Sequence, residues 1–250
     1  MRVSVVHGSQ RNGNTEKTIE IVKEKLNSFG EHEFIDFYLP KDLPSFCSGC
    51  FLCLDKGNYG GEYCPHAKHT HPILEAMKSS DGLIIASPVY SLAETGQVKV
   101  FLDHFGCIFM SHRPLAEMFS KTALIISTTA GTGTKHVIKP IERSLSYWGI
   151  PKVYKCGLTL WEKNWSEMPS EKQAKYRVRL ENKASDFHYS MERKNKRIPL
   201  KMRILFRMFR NLMNSYPDGH QDKEYWREKG WLQEKRPWKD TLINSNIESI

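Results

Sequence analysis

The sequence lacks the long apolar runs that a membrane-spanning helix requires. Hydrophobic residues make up 40% and charged residues 26% of its 250 positions, but no stretch of about eighteen apolar residues occurs. No charged and then apolar leader precedes the first strand pattern, so a secretory signal is not apparent either. We therefore expect a cytoplasmic protein with no membrane span.

Two common nucleotide-binding motifs are also missing. The sequence contains no Gly-Lys-Ser/Thr, which argues against a Walker-type nucleotide site. Its first Gly-containing loop, residues 8–15, lacks the spacing G-x-G-x-x-G, which argues against a dinucleotide-binding fold. If the loop binds a nucleotide, a mononucleotide is the better candidate.

What the sequence does contain, over residues 1–160, is a regular alternation of strand and helix patterns. Two of the strands are continuously apolar, which indicates burial on both faces and hence a parallel sheet with helices on each side. We predict an α/β fold with a doubly wound five-stranded parallel sheet. The predicted strands cover residues 2–6, 33–38, 82–87, 122–127 and 151–156, and the helices cover 15–28, 72–79, 96–105, 135–148 and 170–191.

Three loops follow predicted strands at the edge where such folds bind ligands. They span residues 8–15, 87–96 and 128–134 and are rich in Gly, Ser, Thr and Pro. The first opens onto a helix N-terminus, whose free N–H groups suit a phosphate, and it offers hydrogen-bond donors at Ser9, Arg11, Asn14 and Thr15. Taken alone it could equally be an ordinary turn with an N-cap at Asn14 or Thr15. The other two loops on the same edge favour a phosphate site.

The motifs in these loops carry a family resemblance. They read Gly8-Ser-x-Arg-x-x-Gly-Asn-Thr15, Cys47-Ser-Gly-Cys-Phe-Leu-Cys53, a run from Ser87-Pro-Val-Tyr to Asp103, and Ala130-Gly-Thr-Gly133. Through these four motifs, residues 1–160 resemble the flavodoxin-like NAD(P)H-dependent FMN reductases and their iron–sulfur flavoprotein relatives.

The resemblance implies bound FMN, with NAD(P)H as the electron donor. The FMN phosphate would lie at Ser9, Arg11, Asn14 and Thr15. The flat ring would lie along the second loop, where Tyr90 supplies an aromatic wall, unless Tyr90 is instead a half-buried core residue. The chemistry belongs to the flavin, so no catalytic side chain is nominated. The ring-binding residues implied are Pro88, Val89, Tyr90 and Ser91 on one side and Thr129, Ala130, Gly131 and Gly133 on the pyrimidine side.

Four of the six cysteines are grouped: Cys47, Cys50, Cys53 and Cys64. The first three have the spacing of iron–sulfur flavoproteins, but Cys64 stands farther away than that pattern uses. Three interpretations stay open: a loop without metal that packs beside the flavin, a [4Fe-4S] cluster on the four thiols, and a zinc site that includes His66 and His69.

The net charge of +9 is concentrated near the C-terminus. Residues 197–213 predict a basic amphipathic helix. Such a helix could lie on an anionic membrane surface or a nucleic acid, but we favour packing of its apolar face on its own domain or a dimer mate, with its arginines solvated. We divide the chain into a flavodoxin-like domain, residues 1–195, and a helical extension, residues 196–250. The apolar residues assigned to the buried face are Met202, Leu205, Met208, Phe209 and Leu212. Eight basic residues follow one another with no acid between them: Arg193, Lys194, Lys196, Arg197, Lys201, Arg203, Arg207 and Arg210.

The function expected is an FMN-containing oxidoreductase that takes hydride from NAD(P)H and reduces quinone, flavin or a similar small acceptor. The alternative is an iron–sulfur flavoprotein-type electron-transfer protein that carries a cluster on the four grouped cysteines. A weaker third is a non-catalytic module that binds a partner through the basic helix. We expect no nucleic-acid partner, and the resemblance implies a homodimer. Residues 103–114, an apolar segment, are expected to shape a substrate pocket or a dimer contact.

Overall fold

The computed structural model describes residues 1–56, 63–193 and 195–238. It contains a parallel sheet of five strands in the order β2-β1-β3-β4-β5. This is the flavodoxin-like order, whose switch point lies between β1 and β3, and it confirms the predicted fold class. The strands are β1 (Arg2–His7), β2 (Glu33–Tyr38), β3 (Gly82–Pro88), β4 (Thr122–Thr129) and β5 (Lys152–Thr159).

The central strands β3 and β4 are buried on both faces, as their uninterrupted apolar sequences predict. In β3 every residue from Gly82 to Ser87 is buried, and in β4 every residue from Thr122 to Thr128. The register pairs Val6 with Ile85 and Ile85 with Ile125, so that these side chains form one layer across the sheet.

Helices cover both faces of the sheet and build two separate cores. On one face α1 and α6 enclose a cluster centred on Val5, Ile84 and Phe187. On the other face α3, α4 and α5 enclose a cluster around Phe101, Ile125 and Trp148. The helices are α1 (Asn14–Asn27), α2 (Leu52–Asp55), α3 (Ala67–Ser79), α4 (Gly96–His104), α5 (Thr134–Trp148) and α6 (Ser170–Glu192).

Two element boundaries differ from the sequence-based prediction by more than a residue or two. Helix α3 begins at Ala67, with Pro72 inside its second turn, whereas the pattern predicted a start at residue 72. The pattern placed the start at Pro72 because proline is favoured in the first turn of a helix, where the N–H it lacks has no intrahelical partner, and is unfavourable further in. Strand β5 continues to Thr159 instead of ending at residue 156.

Beyond α6 two further helices, α7 (Leu200–Ser215) and α8 (Gln221–Glu228), pack together on a third core. Phe206 of α7 stacks on Trp226 of α8 with ring centroids 4.7 Å apart. Met110 and Phe119 of the α/β body join this cluster, so the helical region rests directly on residues 110–119. The last residues of the predicted extension, 239–250, lie outside the described residues.

The predicted orientation of α7 was wrong in part. Met202 and Phe209 are buried as expected, but Met208 and Leu212 are exposed, whereas Phe206 and Met213 are buried in their place. Helix α7 has apolar residues on more than one face, so the pattern alone did not distinguish the buried face.

The segment of residues 103–114 anchors the helical extension, and its expected part in a substrate pocket or a dimer contact stays a prediction. Tyr225 donates its hydroxyl to the Pro114 carbonyl (2.7 Å), and Trp226 donates Nε1–H to the His112 carbonyl (2.7 Å). Among the described residues, no helix has the length and apolar composition needed to cross a bilayer.

Candidate functional site

The first loop leads from β1 into an exposed helix N-terminus. Gly8 donates its N–H to the Ala86 carbonyl (2.7 Å), which holds the loop against β3. The N-cap of α1 is Gly13, which provides no side-chain cap. The first N–H groups of α1 therefore face the loop at the positive end of the helix dipole, which favours an anion there. Ser9 and Arg11 lie beside this end on the surface of the cavity.

Asn14 is in the site, but its amide group has a different role from the one predicted. Its Nδ2 donates to the carbonyls of Glu162 (3.0 Å) and Lys163 (3.3 Å), so this donor is already engaged. Its Oδ1 is buried and has no hydrogen-bond partner. Because a carbonyl oxygen only accepts, Oδ1 suits a hydroxyl of a ligand and not a phosphate oxygen.

Thr15 is likewise engaged inside the protein. Its hydroxyl lies 2.6 Å from that of Thr128 at the end of β4, and both side chains are buried. This bond joins the start of α1 to β4. Thr15 therefore fixes the position of the helix N-terminus.

The second loop presents an exposed aromatic ring on a tight turn. Tyr90 and Ala93 exchange two backbone hydrogen bonds of 3.0 Å around a two-residue turn. Ser91 and Leu92 in that turn have φ values of +50° and +63°. Non-glycine residues with positive φ are uncommon and concentrate at functional sites. Tyr90 is 50% exposed, so it is not a core residue.

The third loop ends at Gly133, which has φ of +106° as the N-cap of α5. A Cβ on Gly133 would lie 2.8 Å from Val89 Cγ1, so the absence of a side chain allows the second and third loops to pack together. Thr129 stabilises the turn within the third loop by accepting a hydrogen bond from the Gly131 N–H (3.1 Å) and donating to the Thr132 carbonyl (2.9 Å).

The three loops meet around one cavity of about 300 Å³ at the switch point of the sheet. This is within the size range of small-molecule sites. Ser91, Gly131 and Gly133 do not line it, although they are in the loops that form it. The predicted residues that line it are Ser9, Arg11, Asn14, Thr15, Pro88, Val89, Tyr90, Thr129 and Ala130.

A fourth loop, after β5, closes the cavity and was not predicted to take part. Trp161 lies in this loop with φ of +71° and is 68% exposed, and its neighbours Leu160, Glu162 and Lys163 also line the cavity. No motif marks this loop in the sequence. The only usable signal was its position after the fifth strand of a parallel sheet.

Below the first loop lies a buried charged network around His7. Its Nδ1 is 2.8 Å from Glu16 and its Nε2 is 2.6 Å from Asp36, while Lys23 also donates to Asp36 (2.6 Å). Burial lowers the pKa of His7, but the hydrogen bonds with Asp36 and Glu16 outweigh it, so the pKa is raised. The His7 ring stacks on Tyr38 at 4.1 Å. This network attaches the end of β1 to α1 and β2.

The grouped cysteines do not assemble into a ligand set in the part of the chain that the structure describes. Cys47 and Cys50 are exposed, and all six thiols are free. The interaction between the thiols of Cys53 and Cys107 lowers the pKa of Cys53 to about 6 and raises that of Cys107. No three His, Cys, Asp or Glu side chains among residues 1–56, 63–193 and 195–238 come together as a metal site. These thiols therefore do not fit a cluster as they stand.

The cavity itself fits FMN. It combines an uncapped helix N-terminus, an arginine, a buried acceptor without a partner at Asn14 Oδ1 and exposed aromatic rings. These groups match a phosphate, a hydroxyl-bearing chain and a flat ring. Fold and site together define a flavodoxin-like mononucleotide-binding protein.

Comparison with known proteins places the chain within a family. The model of the NADPH-dependent FMN reductase family matches residues 1–154. The chain belongs to this family and is an NAD(P)H-dependent flavin oxidoreductase. This confirms the resemblance seen in the loop motifs.

Individual relatives extend the match. An iron–sulfur flavoprotein of Archaeoglobus fulgidus is 27% identical over 235 residues, which cover 92% of this chain and 99% of the relative. An iron–sulfur flavoprotein of Methanocaldococcus jannaschii is 37% identical over 108 residues, which cover 41% of this chain and 51% of the relative.

Solved structures agree on the fold. An FMN-dependent NADH-azoreductase of Bacillus anthracis superposes with a TM-score of 0.56 at 12% identity, covering 75% of this chain and all of that one. The apo form of an NADH:FMN oxidoreductase superposes with a TM-score of 0.53 at 20% identity, covering 76% of this chain and 89% of that one.

Proposed function

We propose that the protein binds FMN in the cavity formed by the loops after β1, β3, β4 and β5, and uses it to reduce quinones, free flavin or similar small acceptors with NAD(P)H. The observation that carries this proposal is the arrangement of the cavity. An uncapped helix N-terminus with Arg11 lies at one end, and the exposed ring of Tyr90 lies at the other.

At the phosphate end, the N–H groups of the first turn of α1 would bind the phosphate oxygens, with Ser9 and Arg11 as further donors. Arg11 is exposed and forms no ion pair with a described residue, so its charge is available to a ligand. Asn14 Oδ1 would accept a hydrogen bond from a hydroxyl of the ribityl chain.

At the ring end, Val89 and Tyr90 would form one wall of the ring site, and the backbone of Thr129 and Ala130 would approach its edge. Trp161 extends the aromatic surface from the fourth loop. Because the rings of Tyr90 and Trp161 are exposed, this end of the cavity is open, and a nicotinamide and then an acceptor would stack there in turn.

When bound, FMN would supply the chemistry of hydride and electron transfer between the nicotinamide and the acceptor. The protein positions the reactants. The turn at Ser91 and Leu92 holds Tyr90 at the opening of the cavity, and the hydrogen bond between Thr15 and Thr128 fixes the helix N-terminus against the sheet.

The direct test is the oxidation of NADH or NADPH by the purified full chain with FMN and a soluble quinone, followed by absorbance. We expect turnover well above that of free FMN. Tyr90→Ala should raise KM for the acceptor or nicotinamide, whereas Tyr189→Ala, which removes an equally exposed tyrosine from α6, should not change it. Turnover no faster than that of free FMN would contradict the proposal.

Replacing Arg11 tests the phosphate end separately. A hydrogen bond to a charged group contributes about 1.5–3 kcal/mol, so Arg11→Ala should weaken FMN binding by about tenfold to a hundredfold. The thermal stability of the Arg11→Ala variant should hardly change, because the Arg11 side chain is exposed. Fluorescence titration with FMN measures the Kd, and Arg143→Ala, an exposed arginine of α5, is the control. Unchanged affinity would show that the phosphate binds elsewhere.

A second candidate function is electron transfer through an iron–sulfur cluster, favoured by the names of the relatives. In the part of the chain that the structure describes, Cys47, Cys50, Cys53 and Cys64 do not converge as a ligand set. Anaerobic purification followed by an iron assay and an absorption spectrum separates the two. Stoichiometric iron with a broad visible band would establish the cluster, and a flavin spectrum without iron would leave the reductase function.

Two further expectations accompany this function. A homodimer rests on the family resemblance, and sedimentation velocity measures it directly. A cytoplasmic location is supported by the six free cysteines, since thiols stay reduced in that compartment.

A further inference from the structure

Helix α7 carries a continuous apolar row on the side that faces away from the protein. Leu200, Ile204, Met208 and Leu212 follow one another at intervals of four residues, and their exposed fractions run from 72% to 38%. Residues with this spacing lie on one face of a helix. At about 1.5 Å per residue the row is about 18 Å long.

The row is separate from the face that α7 buries. With about 100° between successive residues, its centre lies roughly opposite Met202, Phe206 and Met213, which fill the core beneath the helix. The fold therefore does not need the row for its own packing. Four large apolar side chains held in this way on a surface mark an interaction site.

Positive charge surrounds the row. Lys201, Arg203 and Arg207 are exposed on the same helix, and none of them forms an ion pair with a described residue. At the N-terminal end of α7 an open cavity of about 820 Å³ has no acidic residue among its described lining, which includes the cations Lys152, Arg193, Arg197 and Arg203. The helix begins there after Pro199 without a side-chain cap, so its positive end faces the same region.

This combination of charge and apolar surface restricts the occupant. A second copy related by a two-fold axis would place the same unpaired arginines opposite each other, which is repulsive. A nucleic acid would use the cations but has no contact for an outward aliphatic row. An anionic lipid surface uses both, since aliphatic side chains enter the boundary below the headgroups while the cations remain at the phosphates.

We propose that the outward face of α7 docks on the surface of an anionic phospholipid bilayer. The row of Leu200, Ile204, Met208 and Leu212 lies in the interface between headgroups and acyl chains. Arg203 and Arg207 contact lipid phosphates beside it, and the basic cavity at the start of the helix receives a further headgroup. The protein lies on the membrane and does not span it, and this docking is independent of flavin binding.

The test is flotation of the full chain with vesicles. Vesicles of phosphatidylglycerol mixed with phosphatidylcholine should bind the protein at least about tenfold more tightly than vesicles of phosphatidylcholine alone. Added salt should weaken this binding, because the charged contacts are screened. Equal binding to both vesicles, or no binding to either, would overturn the proposal.

Substitutions in α7 test whether this helix is the part of the protein that binds the vesicles. Removing two cations at the surface by Arg203→Gln with Arg207→Gln should weaken binding by about thirtyfold. Ile204→Asn with Met208→Asn should weaken it by about tenfold or more. The matched controls on α6 are Lys175→Gln with Arg179→Gln for charge and Val178→Asn for an exposed apolar residue. Circular dichroism melts confirm that every variant is folded.

Other results would assign the face differently. Variants of the row that bind vesicles as tightly as the unchanged chain would overturn the proposal. A dimer that dissociates in Ile204→Asn with Met208→Asn, without any vesicle binding, would identify a second copy as the occupant. Binding to a DNA duplex with no binding to vesicles would identify a nucleic acid, and binding to a soluble acidic polypeptide alone would identify an acidic protein.

Discussion

At the scale of single residues, polar side chains behind the cavity connect elements that are distant in sequence. His7 joins β1 to Glu16 of α1 and Asp36 of β2, and Thr15 joins α1 to Thr128 of β4. Each bond is short and largely buried, so it is little screened by solvent. The loop that leads into α1 is therefore held from two sides, by the His7 network on β1 and β2 and by the hydrogen bond to Thr128 on β4.

The His7 network makes the stability of the protein depend on pH. Because the folded protein raises the pKa of His7, the stabilisation is fully present below its unfolded pKa of about 6.5 and is lost as pH rises through the folded value. Asp36 acts in the opposite range. Burial raises the pKa of Asp36, but His7 and Lys23 lower it by more than that, so the pKa lies below its usual value. The stabilisation that the ionised Asp36 provides is therefore lost only in acid.

We therefore expect the unfolding midpoint in urea to fall between about pH 6 and about pH 9 in the unchanged chain, and to fall less in His7→Gln. Glutamine keeps a hydrogen-bonding group but does not titrate. His71→Gln, an exposed histidine on α3, serves as the control and should follow the unchanged chain. Parallel curves for His7→Gln and the unchanged chain would show that His7 is not the group responsible.

At the scale of elements, the close approach of β1, β3 and α4 leaves no room for a side chain at Gly8. A Cβ there would lie 2.5 Å from Val98 Cγ2 and 2.7 Å from the Ala86 carbonyl oxygen. Thr95, the N-cap of α4, also donates its hydroxyl to the Gly8 carbonyl (2.8 Å). The start of the first loop is thus built into the core.

Gly8→Ala should destabilise the protein by about 1–3 kcal/mol, because the contact with Ala86 involves backbone that has little freedom to move. Chemical denaturation measures the free energy of unfolding. Gly96→Ala, at the first position of α4 where a Cβ meets open space, should be neutral or slightly stabilising. A Gly8→Ala variant as stable as the unchanged chain would mean that the strands separate readily at this point.

At the scale of the whole molecule, Arg113 connects the helical extension to the segment of residues 47–55, which holds three of the grouped cysteines. Its Nε donates to Asp222 of α8 (2.7 Å), one Nη donates to the Cys53 carbonyl (3.3 Å), and the other donates to the Leu54 carbonyl. We propose a boundary at about residue 195, because α7 and α8 share a core of their own. That core includes Met110 and Phe119, however, so the extension is not an independent body.

Asp222→Asn tests this connection. It leaves the buried Arg113 without its carboxylate and should cost about 3 kcal/mol in the free energy of unfolding. Burial raises the pKa of Asp222, but His112 and Arg113 lower it below its usual range, so the carboxylate is charged at neutral pH. Glu228→Gln, an exposed residue of the same helix, should have little effect. Equal losses in the two variants would contradict the role of the buried pair.

The sheet and the first three loops were predictable because their signals are local. An uninterrupted apolar strand such as residues 82–87 allows few alternatives in a parallel sheet. The fourth loop was not predictable, because Trp161 carries no motif and is brought to the cavity only by the position of β5. The buried face of α7 was ambiguous for a physical reason, since its inner and outer faces both carry apolar residues and only the core beneath Phe206 distinguishes them.

The two hydrogen bonds from Asn14 to the carbonyls of Glu162 and Lys163 have a kinetic consequence. They hold the fourth loop to the first. We propose that a molecule seated at Asn14 would leave only as fast as these loops permit, so that the two bonds would lengthen its residence time as well as shape its site. Retention of FMN between turnovers would then depend in part on one side-chain amide.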